Sequence, residues 1–195
     1  MVSRAGLNVD KVVDAAVQLA DKNGLENLTL GRLANEVGVK TPSLYEHVEG
    51  LAGLQRAIRL RGFQTMGYFI SRATVGKSRD DAIKSLAYEM RKFVRQHPAL
   101  YESTVLTAVG DSKEVREAAD EVMTTLNSVL ASYGVAGKEA IHAARYLRSL
   151  LHGFLSLEQT RGFGLNVDVD ESYDRIVETL AQDLKQWSER HTKAR

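Results

Sequence analysis

Apolar side chains recur at intervals of three and four residues along almost the whole chain, and only two prolines, Pro42 and Pro98, interrupt it. That period matches the 3.6-residue turn of an α-helix. The every-second-residue alternation of a half-buried strand is nearly absent. Proline removes a backbone donor and clashes inside a helix, so its scarcity lets helices run long. The expected fold class is all-α. At 195 residues the chain accommodates a small domain and a larger one, with a core that needs no disulfide staples.

Turn residues divide this pattern. A first helix is expected from near Asn8, with Val9, Val12, Val13, Ala16, Val17 and Ala20 on one face and Gly24 just past its end, where a left-handed residue is favoured. Thr29 is placed to cap a second helix that holds Leu30, Leu33, Ala34 and Val37 and stops at Gly38. Thr41 reads as a fresh N-cap with Pro42 in the first turn, which gives a short third helix to about His47. Further helices are expected over about 51–72, 79–96 and 99–109, then from Asp111 or Ser112 to Tyr133, and over about 138–161 and 170–190. The last carries Tyr173, Ile176, Val177, Leu180, Leu184 and Trp187 at near-heptad spacing, suited to helix–helix packing. The expected organisation is a three-helix head over residues 1–50 and a helical domain over 51–195, about nine helices in all.

Composition narrows the function. There is no cysteine, so thiolate nucleophiles, thiolate metal sites and disulfides are excluded. No Gly-x-Ser-x-Gly elbow and no glycine-rich phosphate loop occurs, which leaves an enzyme built on a helical bundle with little to work with. His142 and His152 lie ten residues apart, roughly 15 Å along one helix and too far for one metal. No metal and no cofactor is expected. No segment reads as a membrane span or a signal peptide, so a cytoplasmic protein is expected. The net charge of +1 names no partner. Residues 1–61 carry eight Lys/Arg against seven Asp/Glu, a faint basic footprint for a nucleic-acid binder.

The informative stretch is Thr29–Val48, TLGRLANEVGVKTPSLYEHV. Two short helices joined by a tight turn at Gly38 form the helix-turn-helix layout, whose second helix enters the major groove. Ala34 is small where the helices cross, Gly38 accepts a positive φ, and Leu44 points back to the core. Lys40, Thr41, Pro42, Ser43, Tyr45 and His47 are left facing outward, a set with donors, acceptors and a ring for phosphates and base edges.

Residues 8–60, and above all GLENLTLGRLANEVGV followed by KTPSLYEHV, resemble the TetR family of transcriptional regulators. The resemblance implies a homodimer bound to double-stranded, pseudo-palindromic operator DNA, with a small-molecule effector that releases it. It implies that Thr41, Pro42 and Ser43 touch bases or base methyls, and that Thr29, Lys40, Tyr45 and His47 touch phosphates. Arg32 stands near the position that reads a guanine in some relatives, where Gly31 cannot. The lysine that family members place at the start of the fourth helix is replaced by Glu49-Gly50-Leu51.

Farther on, Leu151-His152-Gly153 stands where one TetR subgroup carries Trp-His-Gly. Phe63, Met66, Met90, Phe93, Tyr101, His152 and Phe154 are candidate pocket residues, because methionine and aromatics adapt to ligands. Leu147, Leu151, Leu155, Tyr173, Val177, Leu180 and Leu184 are candidates for the dimer contact. The alternatives are a helical interaction module that has lost DNA binding and, behind it, a helical-bundle enzyme.

Overall fold

The computed structural model describes residues 7–105 and 112–192, the side chains of 188–192 excepted. Every regular element among these residues is helical. The α-helices are α1 (Val9–Asn23), α2 (Leu30–Val37), α3 (Gly50–Thr74), α4 (Arg79–Gln96), α5 (Pro98–Val105), α6 (Lys113–Ser132), α7 (Gly137–Gln159) and α8 (Val169–Thr192). Two 3₁₀ segments, Leu25–Asn27 and Thr41–Glu46, lie between α1 and α3. No described helix is long and apolar enough to cross a membrane. The chain divides into two compact units, Met1–Thr65 with Gln96–Ala119, and Met66–Arg95 with Asp120–Arg195.

The first unit is built on capped helices. The Asn8 side chain accepts the Lys11 N–H at 2.9 Å to start α1, and Thr29 Oγ1 accepts the Arg32 N–H to start α2. Such caps satisfy donors that a helix leaves unpaired. Val12, Val13, Ala16, Leu19 and Ala20 form the buried face of α1. Val9 was expected on that face but is 48% exposed, because it begins the helix, where few neighbours surround it. α5 is tied to α1 and to α3. The Asp21 carboxylate accepts the Ala99 N–H at 2.9 Å, and Arg59 Nε donates to the Ser103 carbonyl at 3.0 Å. At Gly62 the helices approach so closely that a Cβ would lie 2.7 Å from the Leu100 carbonyl oxygen.

Two expectations for the third helix change. Thr41 does not cap the third helix: Lys40 occupies the N-cap position and no side chain caps it. The segment is 3₁₀ rather than α, closed by Ser43 N–H to Lys40 C=O and His47 N–H to Leu44 C=O, both 2.9 Å. In a six-residue run only the last residues can make i→i−4 bonds, too few to hold α geometry by themselves. Ser112 stands at the start of α6, its Oγ accepting the Val115 N–H. Asp111, the other candidate cap, and residues 106–109 of the expected sixth helix lie outside the described residues.

In the second unit α8 buries Tyr173, Val177, Leu180, Ala181 and Leu184. The Tyr173 hydroxyl donates to the Ala87 carbonyl of α4 at 2.6 Å, and Tyr88 donates to Asp174 at 2.8 Å. Trp187 donates from Nε1 to Glu139 of α7 at 3.0 Å, its ring 5.9 Å from that of Tyr146. Leu147, Leu151, Leu155, Tyr173, Val177, Leu180 and Leu184 are each at most 3% exposed within one chain. This corrects their assignment to a dimer contact. A side chain already covered by its own chain has no surface to offer a partner.

One charged cluster crosses this apolar packing. Arg91 on α4 donates to both carboxylate oxygens of Glu158 on α7 and to Asp170 on α8. Its guanidinium lies over the Tyr173 ring at 4.5 Å, and Arg95 joins the same carboxylates at 2.9 and 3.0 Å. Burial pushes the Glu158 carboxyl up, but the hydrogen bonds from Arg91 and Arg95 outweigh it and hold it below its ordinary value. Asp170 is also held low, first by the bond from Arg95 and then by Arg91.

Replacing Arg91 by alanine leaves the largely buried Glu158 carboxylate with the half-exposed Arg95 as its remaining cation, and it is expected to cost about 1.5–3 kcal/mol of unfolding free energy in denaturant titrations. The pH dependence has a defined sign. Both carboxyls are lowered in the folded state, so their stabilisation is fully present above the unfolded carboxylate range and is lost as pH falls through and below it. Thermal melts from pH 7 to pH 3 are expected to fall steeply below about pH 4, and the Glu158→Gln variant is expected to lose part of that dependence.

Candidate nucleic-acid interface

The turn between α2 and the 3₁₀ segment is set by backbone bonds. Gly38 adopts φ 72°, ψ 32°, a left-handed conformation. Its N–H and that of Val39 donate to Asn35 and Ala34 carbonyls, the paired closure that ends a helix in a Schellman motif. A non-glycine residue is strained at that φ. The chain therefore leaves α2 in one direction, and Lys40 begins the recognition segment Thr41–Glu46.

That segment has two unlike sides. Leu44 is fully buried and Val48 is 7% exposed, whereas Tyr45 is 62% exposed. Lys40, Pro42 and Glu46 are exposed as well, and Thr41, Ser43 and His47 are half-buried. Burying Leu44 removes apolar surface from water and stabilises the segment by about 1.5–3 kcal/mol. It also fixes the rotation of the segment, so the polar side chains emerge together. The exposure of Tyr45 rules out its being a core aromatic. A Cβ on Gly50 would lie 4.0 Å from Tyr45 Cε1, so the ring borders the first turn of α3.

Two residues at the start of α2 have local partners. Thr29 is exposed, and its oxygen caps the helix. Arg32 is exposed, and its Nη1 donates to the Asn27 carbonyl at 3.1 Å, which holds the guanidinium beside the start of α2. His47 ends the segment, its backbone N–H donating to Leu44. Reading the sequence by motif missed Arg56, a half-buried cation two turns into α3 that pairs with Glu49 at 3.4 Å. The available signal was a pair of opposite charges seven residues apart with Gly53 between them.

The candidate pocket residues divide between the two units. Phe63 and Tyr101 belong to the first, and Met66, Met90, Phe93, His152 and Phe154 to the second. In the second, Phe154 packs against Tyr173 at 5.0 Å and Phe163 at 4.8 Å. A cavity of about 460 Å³ beside this cluster is lined by Phe163, Leu165, Val167 and Val169 of the loop leading into α8. One Glu-x-x-His spacing occurs in the sequence, Glu139 to His142. There the Glu139 carboxylate accepts the Trp187 indole N–H. No cluster of three metal-ligating side chains occurs among the described residues.

A buried leucine behind a glycine turn, with a polar face beyond it, defines a helix-turn-helix DNA-binding protein. Family comparison gives the narrower class. Residues 12–49 match the model of bacterial regulatory proteins of the tetR family, and residues 83–180 match the tetracyclin repressor-like C-terminal domain. The HTH-type transcriptional regulator Rv0681 of Mycobacterium tuberculosis is 35% identical over 182 residues, covering 93% of this chain and 83% of the relative. YobS of Bacillus subtilis, also an HTH-type transcriptional regulator, is 32% identical over 185 residues, covering 94% and 96%. The repressor DrrR1 of Streptomyces coeruleorubidus is 54% identical over 44 residues, 23% of this chain and 16% of the relative. The chain belongs to the TetR family of transcriptional regulators, which sets aside the enzyme reading.

Solved structures share the fold. A protein from Rhodococcus sp. RHA1 superposes with a TM-score of 0.78 at 21% identity, covering 95% of this chain and all of that one. Apo ActR from Streptomyces coelicolor gives 0.71 at 18%, covering 97% and 100%.

Tyr45→Ala is expected to weaken DNA binding by about 1–2 kcal/mol, the scale of a lost hydrogen bond to a charged group, with no change in melting temperature because the ring is exposed. Anisotropy titration beside a thermal melt checks both. A lower melting temperature with unchanged affinity would make Tyr45 structural.

Proposed function

We propose that this regulator is a dimeric repressor that a small, largely hydrophobic molecule releases from its operator. The observation that carries the reading is the recognition segment, with Leu44 buried and Tyr45 exposed beside a fixed turn. In this reading Thr41, Pro42 and Ser43 meet base edges in the major groove. Lys40, Tyr45, His47 and the Thr29–Arg32 turn meet phosphates. One segment of six residues contacts few base pairs, so two heads are needed, on half-sites about 34–36 Å apart. DrrR1, which matches over the head, is named a transcriptional repressor, and that name supports the sign of regulation.

The dimer forms through the outward faces of α7 and α8. His142, Arg145, Ser149 and Gly153 are exposed on α7, as is Thr179 on α8. Gly153 has open space where a side chain would stand, which lets a partner helix come close. The effector binds in the second unit, among Met66, Met90, Phe93 and Phe154, with His152 as a polar neighbour. In support, ActR, whose fold this chain shares, has been crystallised with (S)-DNPA. The protein works where the operator is, in the cytoplasm.

The test is a mobility shift with DNA from the protein's own upstream region at two salt concentrations, repeated with a panel of small aromatic compounds. A specific complex that weakens with salt, and that some compound dissolves while raising the melting temperature, is the expected result. A protein that shifts no duplex at low salt, and recovers none from a genomic pull-down, is an interaction module instead. For the dimer, Gly153→Arg is expected to give a folded monomer by analytical ultracentrifugation, with operator affinity reduced at least about 100-fold (about 2.8 kcal/mol). A Gly153→Arg dimer that binds normally would move the interface elsewhere.

A further inference from the structure

The start of α3 carries an acid and no cation before Arg56. Three residues separate the helix from the end of the recognition segment. The last of them is Glu49, followed by Gly50 in a left-handed conformation at φ 69°. A glutamate beside DNA repels phosphate unless a cation compensates it. The first cation of α3 is Arg56, whose side chain is 42% exposed.

Helical side chains slope toward the N-terminus, and Arg56 follows that direction. Its Nη1 lies 3.4 Å from Glu49 Oε2. An exposed pair of this length contributes little to stability, but it draws the guanidinium back along the first two turns of α3. Gly53 lies on this path. A Cβ there would sit 2.9 Å from Glu49 Cβ, so any larger residue would push the glutamate aside. Glycine inside a helix is unfavourable, and this contact is a steric reason for it. The Tyr45 ring borders the same turn from the recognition segment. Other arginines nearby are committed elsewhere. Arg61 donates to Asp10 and Asp14, each at 2.7 Å, and Arg59 Nε to the Ser103 carbonyl.

We propose that Arg56, drawn back by Glu49 across Gly53, is the phosphate-binding cation at the start of α3. A guanidinium has five N–H donors, and Glu49 engages one nitrogen. The others suit the paired oxygens of a backbone phosphate. The inference rests on the DNA-binding reading and assigns that interface a residue outside the helix-turn-helix motif.

The test is a titration by fluorescence anisotropy between about 50 and 200 mM salt, on a 30-bp duplex selected by the wild-type protein from a random pool. Each phosphate contact by a cation adds about one unit to the slope of log K against log salt. Arg56→Gln is expected to make the slope shallower by about one per subunit, with an unchanged melting temperature, and Arg56→Lys is expected to keep the slope. A structural role for Arg56 would move the melting temperature and leave the slope alone. A wild-type protein that binds normally while Arg56→Gln keeps its slope overturns this assignment alone. A wild-type protein that selects no duplex overturns the DNA-binding reading and this assignment with it.

Discussion

The DNA-reading surface depends on the burial of one side chain, Leu44. A six-residue 3₁₀ segment has almost no stability of its own. What holds it is the removal of Leu44 and Val48 from water on one side and the left-handed Gly38 turn at its entry. With both ends set, the outward residues have a single presentation. The specificity of a regulator of this kind is therefore a property of its core as much as of its surface, since a slip of one residue at Leu44 would turn Tyr45 inward.

The second unit solves a different problem. Its helices are long and bury mostly leucine, alanine and aromatic side chains, which pack well but leave sliding along the helix axes weakly opposed. The Arg91 cluster opposes it. A guanidinium that meets Glu158 and Asp170 and lies over Tyr173 has one geometry in which all its partners are satisfied. Ions of this kind add little net stability over an apolar substitute. What they add is a fixed set of contacts among α4, α7 and α8.

The helices and the DNA-reading motif were legible in the sequence because each rests on local rules. Periodicity marks a buried face, glycine marks a stop, and Leu44 between polar neighbours marks an anchor. The 3₁₀ geometry of residues 41–46 was not legible, since in so short a run the choice between i→i−3 and i→i−4 bonds is left to the surrounding packing. The apolar seam of α7 and α8 was legible as a seam, but its partner was not. A periodic stripe looks the same whether the chain covers it or a second subunit does, and Leu180 and Leu184 prove to be covered by their own chain. Arg56 escaped for the opposite reason. Its partner Glu49 and the close approach at Gly53 lie seven and three residues away, a relation that no motif encodes.

Trp187 is the sole tryptophan of the chain, held between α8 and α7 by its bond to Glu139 and by the nearby Tyr146 ring. Each chain thus carries one indole fluorophore, at the packing of its last two helices. Its emission wavelength, its quenching and the energy it receives from Tyr146 all report on that one seam. Labelling is unnecessary, and a change in helix packing on binding DNA or an effector becomes an optical signal with an unambiguous origin.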